Sequence, residues 1–509
     1  METYRFMKHI YDHVSKMPGP KSLPIFGNCL SLSGNEVEFT YQMEYYFRKY
    51  AYKTECGLVR FWIGPFPLVF LTRPLSVKAI LENPNLNEKP NEYEFLKGMW
   101  GDGLITSSGQ KWHTRRKMLT PAFHPTVIQN YNKSFNKHAK VLMGLLDEYA
   151  DKGETFDLLP YLRRYSLDIM ADCFIDIYKV YIVFIVLIVD TTLGVQINAQ
   201  KGENLEYYEG VTRTFELVFK TLRYPWLRIK PIANLLGHTQ RLEKYSAITR
   251  QLPRKVVIER KKEYDSMKEK PTFEEVSSGK RSRKSFLDLL LSLQEEYNLT
   301  VDDICEEVET IFVAAHDNVS SSIGFALSIL GNKPEVQNKI YEELHSVLGD
   351  EEREITSDDL ANLVYLDRCM KEMMRLYMPV VIIARRVTED VKIGEYTIPA
   401  GVTACISPFS VARDPKEWEN PDAYNPDNFS PENVAKRDPF AYIPFSAGIR
   451  NCLGKQFALT EEKMALAHLL HRYEFHSLLT EEQNRALPEI TLKPSRGFPM
   501  RITRRKKTN

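Results

Sequence analysis

One short loop constrains this chain more than any other feature: residues 444–454 read Pro-Phe-Ser-Ala-Gly-Ile-Arg-Asn-Cys-Leu-Gly. Its single cysteine, Cys452, lies inside a Phe-x-x-Gly-x-Arg-x-Cys-x-Gly frame, and apolar residues at near-helical spacing predict a helix over 455–470. A thiol loses its proton more readily near backbone N–H groups, cations and a helix N-terminus, and this frame can supply all three. The pattern is therefore typical of a loop that binds haem iron through a cysteine thiolate.

Each fixed position of this frame has an expected role around the sulfur of Cys452. Gly448 and Gly454 can adopt left-handed or crowded backbone conformations that bring main-chain N–H groups close to it. Arg450 is placed to bind a haem propionate, and Phe445 can shield the sulfur from water. A lone cysteine in an intracellular chain is more often a small buried apolar residue. A match to five fixed residues is specific enough to outweigh that interpretation.

A second feature is the pair Glu372 and Arg375, which lies in a stretch of helical periodicity upstream of the loop. Residues three apart share one face of a helix and can form an ion pair. In a buried setting each would need the other. On a solvated helix surface, the same Glu-x-x-Arg spacing would be an ordinary exposed pair.

Two further places carry cations that could bind an anionic group. Trp112 and Arg116 are four residues apart and project from one face of a predicted helix. Taken alone, Trp112 would be a core anchor, and the basic run at 115–117 would be solvated. Arg385 and Arg386 end an apolar stretch that leads into an extended segment.

A long apolar helix is predicted over 306–330, with one face able to lie across a cofactor. Polar residues interrupt it at Asp317 and Asn318. Taken alone, these two residues would be a polar kink in an apolar helix.

Together these blocks identify the chain as similar to the cytochrome P450 superfamily. The resemblance implies a mainly α fold with a small β region, in which haem b lies between the oxygen-activation helix, 306–330, and the cysteine loop, with Cys452 as the axial ligand. It also implies that Glu372 and Arg375 lock the core beneath the haem. The other expected cofactor-binding residues are Trp112, Arg116, Arg385, Phe445, Gly448, Arg450 and Gly454, with Arg386 as an alternative to its neighbour.

The chain departs from the family pattern at two of these places. The family has an acid and an alcohol in the oxygen-activation helix, whereas here Asp317 is followed by Asn318. An amide forms hydrogen bonds without relaying a proton as a hydroxyl does. The resemblance makes Asp317 and Asn318 the candidates for proton transfer, with three alternative outcomes: slow or uncoupled oxidation, proton delivery through water or a substrate hydroxyl, or rearrangement of a peroxide without oxygenation. Asn428 stands where the family has the third partner of the Glu-x-x-Arg pair, so this triad is expected to be incomplete.

The amino-acid sequences of residues 101–124 and 316–323 narrow the resemblance to the family-four branch. Members of this branch often hydroxylate fatty acids near the end of the alkyl chain. Many of them have a glutamate, esterified to the haem, at the position of Ala314. Alanine has no carboxylate, so the haem is expected to be held by Cys452 and noncovalent contacts. Phe312, Ala314 and Ala315 are expected to line the substrate pocket.

The resulting hypothesis is a monooxygenase that inserts one oxygen atom of O2 into a C–H bond of a lipophilic substrate such as a fatty acid. A Gly-x-Gly-x-x-Gly fingerprint in a strand–helix setting is absent from the sequence, so electrons from NADPH would come through NADPH–cytochrome P450 reductase, with cytochrome b5 as a further candidate partner. Two other functions stay open: a peroxide-rearranging isomerase or dehydratase, favoured by Asn318, and a degenerate, non-enzymatic haem-binding paralogue.

Length and composition favour one large catalytic domain over 18–509, because 509 residues with 43% hydrophobic content show no repeat. Residues 173–190 read as an insertion whose apolar run is far shorter than the roughly twenty residues that span a bilayer. The net charge of +1 gives no reason to expect nucleic acid. The seven cysteines are scattered without disulfide or zinc spacing, which fits a reducing compartment.

The amino-terminal region bears on location. Residues 1–17 read as a leader without an apolar membrane anchor, followed by a proline-containing hinge at 18–20. The resemblance implies the cytosolic face of the endoplasmic reticulum membrane. Either the anchor is missing from this sequence, or surface patches contact the membrane. Strands are predicted near 58–71 and as a hairpin around Gly394.

Overall fold

The structure, a computed structural model, describes residues 2–32, 34–175, 199–202, 205–267 and 286–505. The predicted insertion at 173–190 lies outside the described residues, except for 173–175, which end a helix. The helices are α1 (Glu2–Val14), α2 (Glu36–Tyr50), α3 (Pro74–Leu81), α4 (Glu94–Trp100), α5 (Gly109–Leu119), α6 (Pro125–Gln129), α7 (Asn132–Lys152), α8 (Leu159–Ile175), α9 (Leu205–Arg223), α10 (Lys230–Leu235), α11 (His238–Ser266), α12 (Phe286–Ser292), α13 (Val301–Gly331), α14 (Pro334–Leu348), α15 (Ser357–Asn362), α16 (Val364–Leu376), α17 (Pro408–Val411), α18 (Pro431–Ala435) and α19 (Lys455–Arg472).

The strands are short and form small sheets beside the helices. They are β1 (Leu58–Ile63), β2 (Phe66–Leu71), β3 (Phe156–Asp157), β4 (Ile383–Arg386), β5 (Val391–Ile393), β6 (Tyr396–Ile398), β7 (Thr403–Ile406), β8 (Tyr473–Ser477), β9 (Ala486–Pro488), β10 (Leu492–Pro494) and β11 (Pro499–Arg504). The sheet orders are β1-β2-β7-β4, β3-β11-β8, β5-β6 and β10-β9. The mainly α fold with a small β region is confirmed.

The strands predicted near 58–71 and the hairpin predicted around Gly394 are both present. β1 and β2 are antiparallel, and their register ends at the pair Ile63 and Phe66. Gly64 in the turn between them has a φ of 62°, a conformation that glycine adopts without steric cost. β5 and β6 pair around Gly394, with Ile393 opposite Tyr396.

Helix α13 is the centre of the helical body. Thr300 caps its N-terminus, because its hydroxyl accepts the N–H of Asp303 while the Asp303 carboxylate accepts the N–H of Thr300. The helix packs against α8, α11, α19 and β8, and its buried residues lie on all sides. A helix that is buried on all sides lies inside a core, so α13 runs through the middle of the protein.

Helix α19 begins three residues after Cys452, where the sequence predicts a helix start. It packs against α7, α13 and α14. Its buried residues include Phe457, Met464 and Leu470, which anchor it in the main hydrophobic cluster. The cysteine loop is therefore attached to a rigid, buried element.

The segment predicted as a leader packs onto the small sheets. Ile10, Val14 and Met17 are buried in the same hydrophobic cluster as residues of β1, β6 and β7. His9 Nε2 lies 2.8 Å from a carboxylate oxygen of Asp390. In the part of the chain that the structure describes, no helix combines the length and the apolar character needed to cross a bilayer.

Candidate haem site

The cysteine loop folds back on itself around Cys452. The N–H of Cys452 donates to the carbonyl oxygen of Phe445 at 2.9 Å, and the N–H of Asn451 donates to that of Gly448 at 3.2 Å. The Cys452 thiol is accessible, whereas the other six cysteines of the chain are buried. Accessibility distinguishes Cys452 from a core cysteine, so it is the thiol available to a ligand.

The surroundings of the thiol contain the predicted stabilising groups. Although the thiol is accessible, the protein atoms around Cys452 displace most of the water near it, and this desolvation raises the pKa of its thiol. The N–H of Gly454, Arg116 and Lys455 act in the opposite direction and lower that pKa. A metal cation at the sulfur would add to the lowering effect and would favour the thiolate.

Gly448 and Gly454 differ in conformation. Gly448 has a φ of 69°, and a Cβ there would overlap the carbonyl oxygen of Leu81. Gly454 has a φ of −84°, and a Cβ there would meet its nearest atom, on Phe123, at 3.8 Å. The expectation of a left-handed or crowded backbone is confirmed for Gly448 and wrong for Gly454, which contributes its N–H from an ordinary conformation.

Gly448→Ala is expected to lower the free energy of unfolding by about 2 kcal/mol or more, because it combines a left-handed backbone with a backbone clash. The same substitution should weaken the thiolate-type absorption band of the reduced carbon monoxide complex. Gly454→Ala is the matched control and should change stability by less than about 0.5 kcal/mol. Urea denaturation and the difference spectrum measure both effects. Equal losses in the two variants would contradict this assignment.

Arg450, Arg385 and Lys89 form a cationic cluster near the loop, in which Arg385 is buried and the other two residues are half-buried. The Arg450 guanidinium lies 4.3 Å from the ring centre of Trp112 and donates to the carbonyl oxygen of Ser107 at 2.7 Å. Its Nε is buried without a hydrogen-bond partner. Burial, followed by the charge of Arg385, lowers the pKa of Arg450 to about 9.

Such a cluster is unfavourable without an anion, because buried like charges repel each other. Burial, Arg385 and Arg450 also lower the pKa of Lys89. The donors of Arg450 and Arg385 can bind carboxylates, so these residues fit the propionates of a haem. Lys89 was not predicted from sequence, since nothing around it separates it from a surface lysine.

Arg385 and Arg386 differ in their exposure to solvent. Arg385 is buried at 3% exposure, and its side chain donates to the carbonyl oxygen of Ala384 at 3.0 Å. Arg386 is exposed at the end of β4. Arg385 is therefore the one that faces the cationic cluster.

Arg116 contacts the cysteine loop directly. Its two terminal nitrogens donate to the backbone and side-chain oxygens of Asn451, at 2.7 and 2.6 Å. Trp112, one turn earlier on α5, is buried under Arg450. Helix α5 thus fixes the position of the residue next to Cys452 as well as that of a candidate propionate ligand.

Glu372 and Arg375 form a fully buried ion pair on α16, with Nε–Oε2 and Nη2–Oε1 distances of 2.7 Å. The remaining donors of Arg375 bind the carbonyl oxygens of Ala412, Pro421 and Ala423. The pair joins α16 to the segment that leads to the cysteine loop.

Asn428 takes the third place beside this pair. Its Nδ2 donates to Glu372 Oε1 at 3.0 Å, and the N–H of Asn425 donates to the same oxygen at 2.8 Å. The expectation of an incomplete triad is therefore corrected in part. The third hydrogen bond is present, but the third charge is absent, because a neutral amide binds the carboxylate.

Asn428→Ala is expected to lower the free energy of unfolding by about 1.5–3 kcal/mol, because a buried hydrogen bond to a charged group is lost. Asn433→Ala is a suitable control, since its amide donates to a neutral carbonyl, that of Asp427, at an exposed site. That control should lose no more than about 1 kcal/mol. Chemical denaturation measures both values, and equal losses would mean that Asn428 has no special role at Glu372.

Asp317 and Asn318 point in different directions from α13. The Asn318 amide nitrogen donates to the carbonyl oxygen of Ala314 at 2.8 Å. The buried Asp317 carboxylate binds Arg163 at 3.3 Å and accepts the hydroxyl of Thr491 at 2.5 Å. Arg163 and Thr491 were missed by sequence reasoning, because no local pattern relates them to Asp317.

A cavity of about 760 Å³ reaches α13 at Val313, Ala314 and Asn318. Phe312 is not among its lining residues, since its ring packs against Tyr207, with ring centres 6.0 Å apart. Ala315 packs against the main hydrophobic cluster. Of the three residues expected to line the substrate pocket, Ala314 lines this cavity, whereas Phe312 is buried and Ala315 is half-buried outside its lining. The other apolar residues that line the cavity include Phe39, Phe61, Leu96, Trp100, Phe219 and Ile490.

Comparisons with known proteins agree with this architecture. The family model for cytochrome P450 matches residues 17–499. Cytochrome P450 4V2 of Mus musculus is 34% identical over 495 residues, which cover 95% of this chain and 89% of that protein. Cytochrome P450 4c3 of Drosophila melanogaster is 34% identical over 504 residues, which cover 97% and 90%.

A solved structure shares the fold. The crystal structure of the cytochrome P450DA heme domain superimposes with a TM-score of 0.78 and 22% sequence identity, covering 96% of this chain and 98% of that chain. The fold and the accessible cysteine define a haem-thiolate oxidoreductase. The chain belongs to the cytochrome P450 family, and it is a monooxygenase with haem iron as its cofactor.

Proposed function

We propose that this monooxygenase hydroxylates a long lipophilic substrate such as a fatty acid, using electrons that NADPH supplies through a separate reductase. The observation that carries the proposal is the large apolar cavity against α13. Its volume lies within the usual range for sites that enclose small molecules. The similarity to cytochrome P450 4V2 and 4c3 supports a lipid as the substrate class.

Some charged residues of the cavity wall pair with one another. Arg48 binds Asp422 and Glu44, each at 2.8 Å. Paired ions leave the apolar side chains to contact the substrate, and burial of apolar surface holds an alkyl chain at about 25 cal/mol per Å². The wall therefore favours a hydrocarbon chain over a polar ligand.

The haem, held by Cys452 and by Arg385 and Arg450 at its propionates, would supply oxygen activation when bound. The overall reaction combines the substrate with one O2, two electrons and two protons, and yields a hydroxylated product and water. The protein's own contribution is to orient the alkyl chain, to exclude water and to deliver protons. Asp317 is the candidate acid for that delivery.

Exposed apolar residues on two adjoining segments support a membrane-surface location on the cytosolic face of the endoplasmic reticulum. Arg228 lies near enough to Cys29 for its charge to lower the pKa of that thiol, so the end of the segment 23–30 lies near the start of the segment 229–236. Ile25 is 81% exposed and Leu235 is 87% exposed. Patches of this kind mark interaction sites, so we expect the protein to sediment with phospholipid vesicles and the variant with Ile25→Asp and Leu235→Asp to remain in solution.

The purified haem protein tests the function directly. NADPH, NADPH–cytochrome P450 reductase and fatty acids of several chain lengths should give hydroxylated products by mass spectrometry, and cytochrome b5 should be compared as a second electron donor. Turnover with lipid hydroperoxides alone, without reductase, would instead indicate a rearranging isomerase or dehydratase. A haem spectrum that no lipid shifts would indicate a non-enzymatic haem protein.

A further inference from the structure

Thr491 lies in the short connection between β9 and β10 and lines the same cavity as Ala314 and Asn318. Its hydroxyl donates to Asp317 Oδ2 at 2.5 Å. Asp317 is buried and is not itself among the lining residues. Thr491 therefore connects the acid on α13 with the cavity.

The carboxylate of Asp317 is held from two sides. Its Oδ1 lies 3.3 Å from Arg163 Nη2, on α8, while Oδ2 faces Thr491. Other titratable groups around it are Tyr207 on α9, whose pKa is raised by burial first and by the charges of Glu309 and Asp317 after it, and His316, its neighbour on α13. Arg163 pairs with one carboxylate oxygen, and the Thr491 hydroxyl contacts the other oxygen on the cavity side.

We infer that Thr491 supplies, from a different element of the fold, the relay hydroxyl that α13 lacks at position 318. The inference rests on the proposed oxygenation, since a proton is needed there only if oxygen is reduced. Asn318 is unsuited to this role. Its amide nitrogen donates a hydrogen bond to the carbonyl oxygen of Ala314, and an amide does not readily accept one proton while it releases another.

The relay conserves protons and leaves Thr491 unchanged. A hydroxyl has one proton and two acceptor lone pairs. When Asp317 has taken up a proton from the solvent side, it can donate that proton to the Thr491 oxygen while Thr491 gives its own proton to an acceptor in the cavity. Asp317 is then ionised again and pairs with Arg163 until the next proton arrives. Two such transfers supply the two protons that each turnover consumes.

Thr491→Val tests the inference, because valine keeps the shape of threonine and removes the hydroxyl. Thr491→Ser is the matched control that keeps it. In the valine variant the product formed per NADPH should fall about tenfold, while hydrogen peroxide release rises. A loss of this size is no larger than the contribution expected from one positioned proton donor. Serine should stay close to wild type. Turnover driven by hydroperoxide, which needs no proton delivery, should be nearly unchanged in both variants.

A second readout does not depend on turnover. The infrared C–O stretching band of the reduced carbon monoxide complex responds to polar groups near the bound ligand, so it should shift in Thr491→Val and not in Thr491→Ser. An unshifted band in both variants would place the hydroxyl out of reach and overturn the inference. This readout also separates the two proposals, since it remains valid if no fatty acid is hydroxylated.

Asn318→Thr provides a rescue on the wild-type and Thr491→Val backgrounds. If Thr491 already acts as the relay, the added hydroxyl should restore product yield in the valine background and change the wild type little. A severalfold gain in product yield on the wild-type background would show that no hydroxyl had relayed protons before the substitution. That single variant also decides the matter if Thr491→Val fails to bind haem.

Discussion

Cys452→Ala is expected to abolish the thiolate-type band of the reduced carbon monoxide spectrum and to reduce monooxygenase turnover below detection. The thiolate is the iron ligand that favours O–O cleavage, and alanine offers no donor. Arg385 and Arg450 remain in the variant, so some haem can still bind through its propionates. The difference spectrum separates loss of the ligand from loss of the cofactor, because haem without thiolate gives a different band.

Cys305→Ala is the matched control for this experiment. Cys305 is buried at 2% exposure in the hydrophobic cluster around α13, where burial raises the pKa of its thiol to about 11. It is therefore a neutral core residue, and its replacement should leave the thiolate band in place. Survival of that band in Cys452→Ala would mean that another cysteine is the ligand.

Arg375→Ala is expected to lower the free energy of unfolding by about 3–5 kcal/mol, because it leaves the Glu372 carboxylate buried without its cation. Neither side chain of the pair has any solvent exposure. The variant also releases the carbonyl oxygens of Ala412, Pro421 and Ala423. Since these lie on the approach to the cysteine loop, haem retention should fall as well, and urea denaturation together with the haem absorption measures both losses.

Lys371→Ala on the same helix serves as the control. Lys371 pairs with Asp367 at 2.7 Å, but its side chain is 43% exposed and that of Asp367 is 41% exposed. Exposed pairs contribute about 0–1 kcal/mol, so this variant should bind haem normally. A similar loss in the two variants would mean that burial of the Glu372–Arg375 pair is not what makes it important.

The parts of the fold that follow from short-range patterns could be predicted. The helix after Cys452, the hairpin at Gly394 and the long helix through Asp317 each depend on residues that are close in sequence, so their periodicity is visible without a structure. The spacing of Glu372 and Arg375 likewise indicated a shared helix face. The haem contacts of individual residues stay predictions.

Contacts between distant segments were decided by the tertiary structure. Asn428 differs from the residue expected beside Glu372, yet folding brings its amide to the carboxylate across 56 positions of sequence. Phe312 is apolar and near Ala314, but the rotation of α13 turns it towards Tyr207. Neither outcome has a signal in the local pattern.

The sequence by itself determined the pattern around Cys452 that predicts a haem-thiolate loop, because that pattern depends on residues 445–454, which are neighbours in the chain. Only the tertiary structure decided which arginine of the 385–386 pair faces inward and which hydroxyl reaches Asp317. The physical reason is that hydrogen bonds and burial depend on distance in space. Thr491 and Asp317 are separated by 174 positions in the chain, but their oxygens lie 2.5 Å apart.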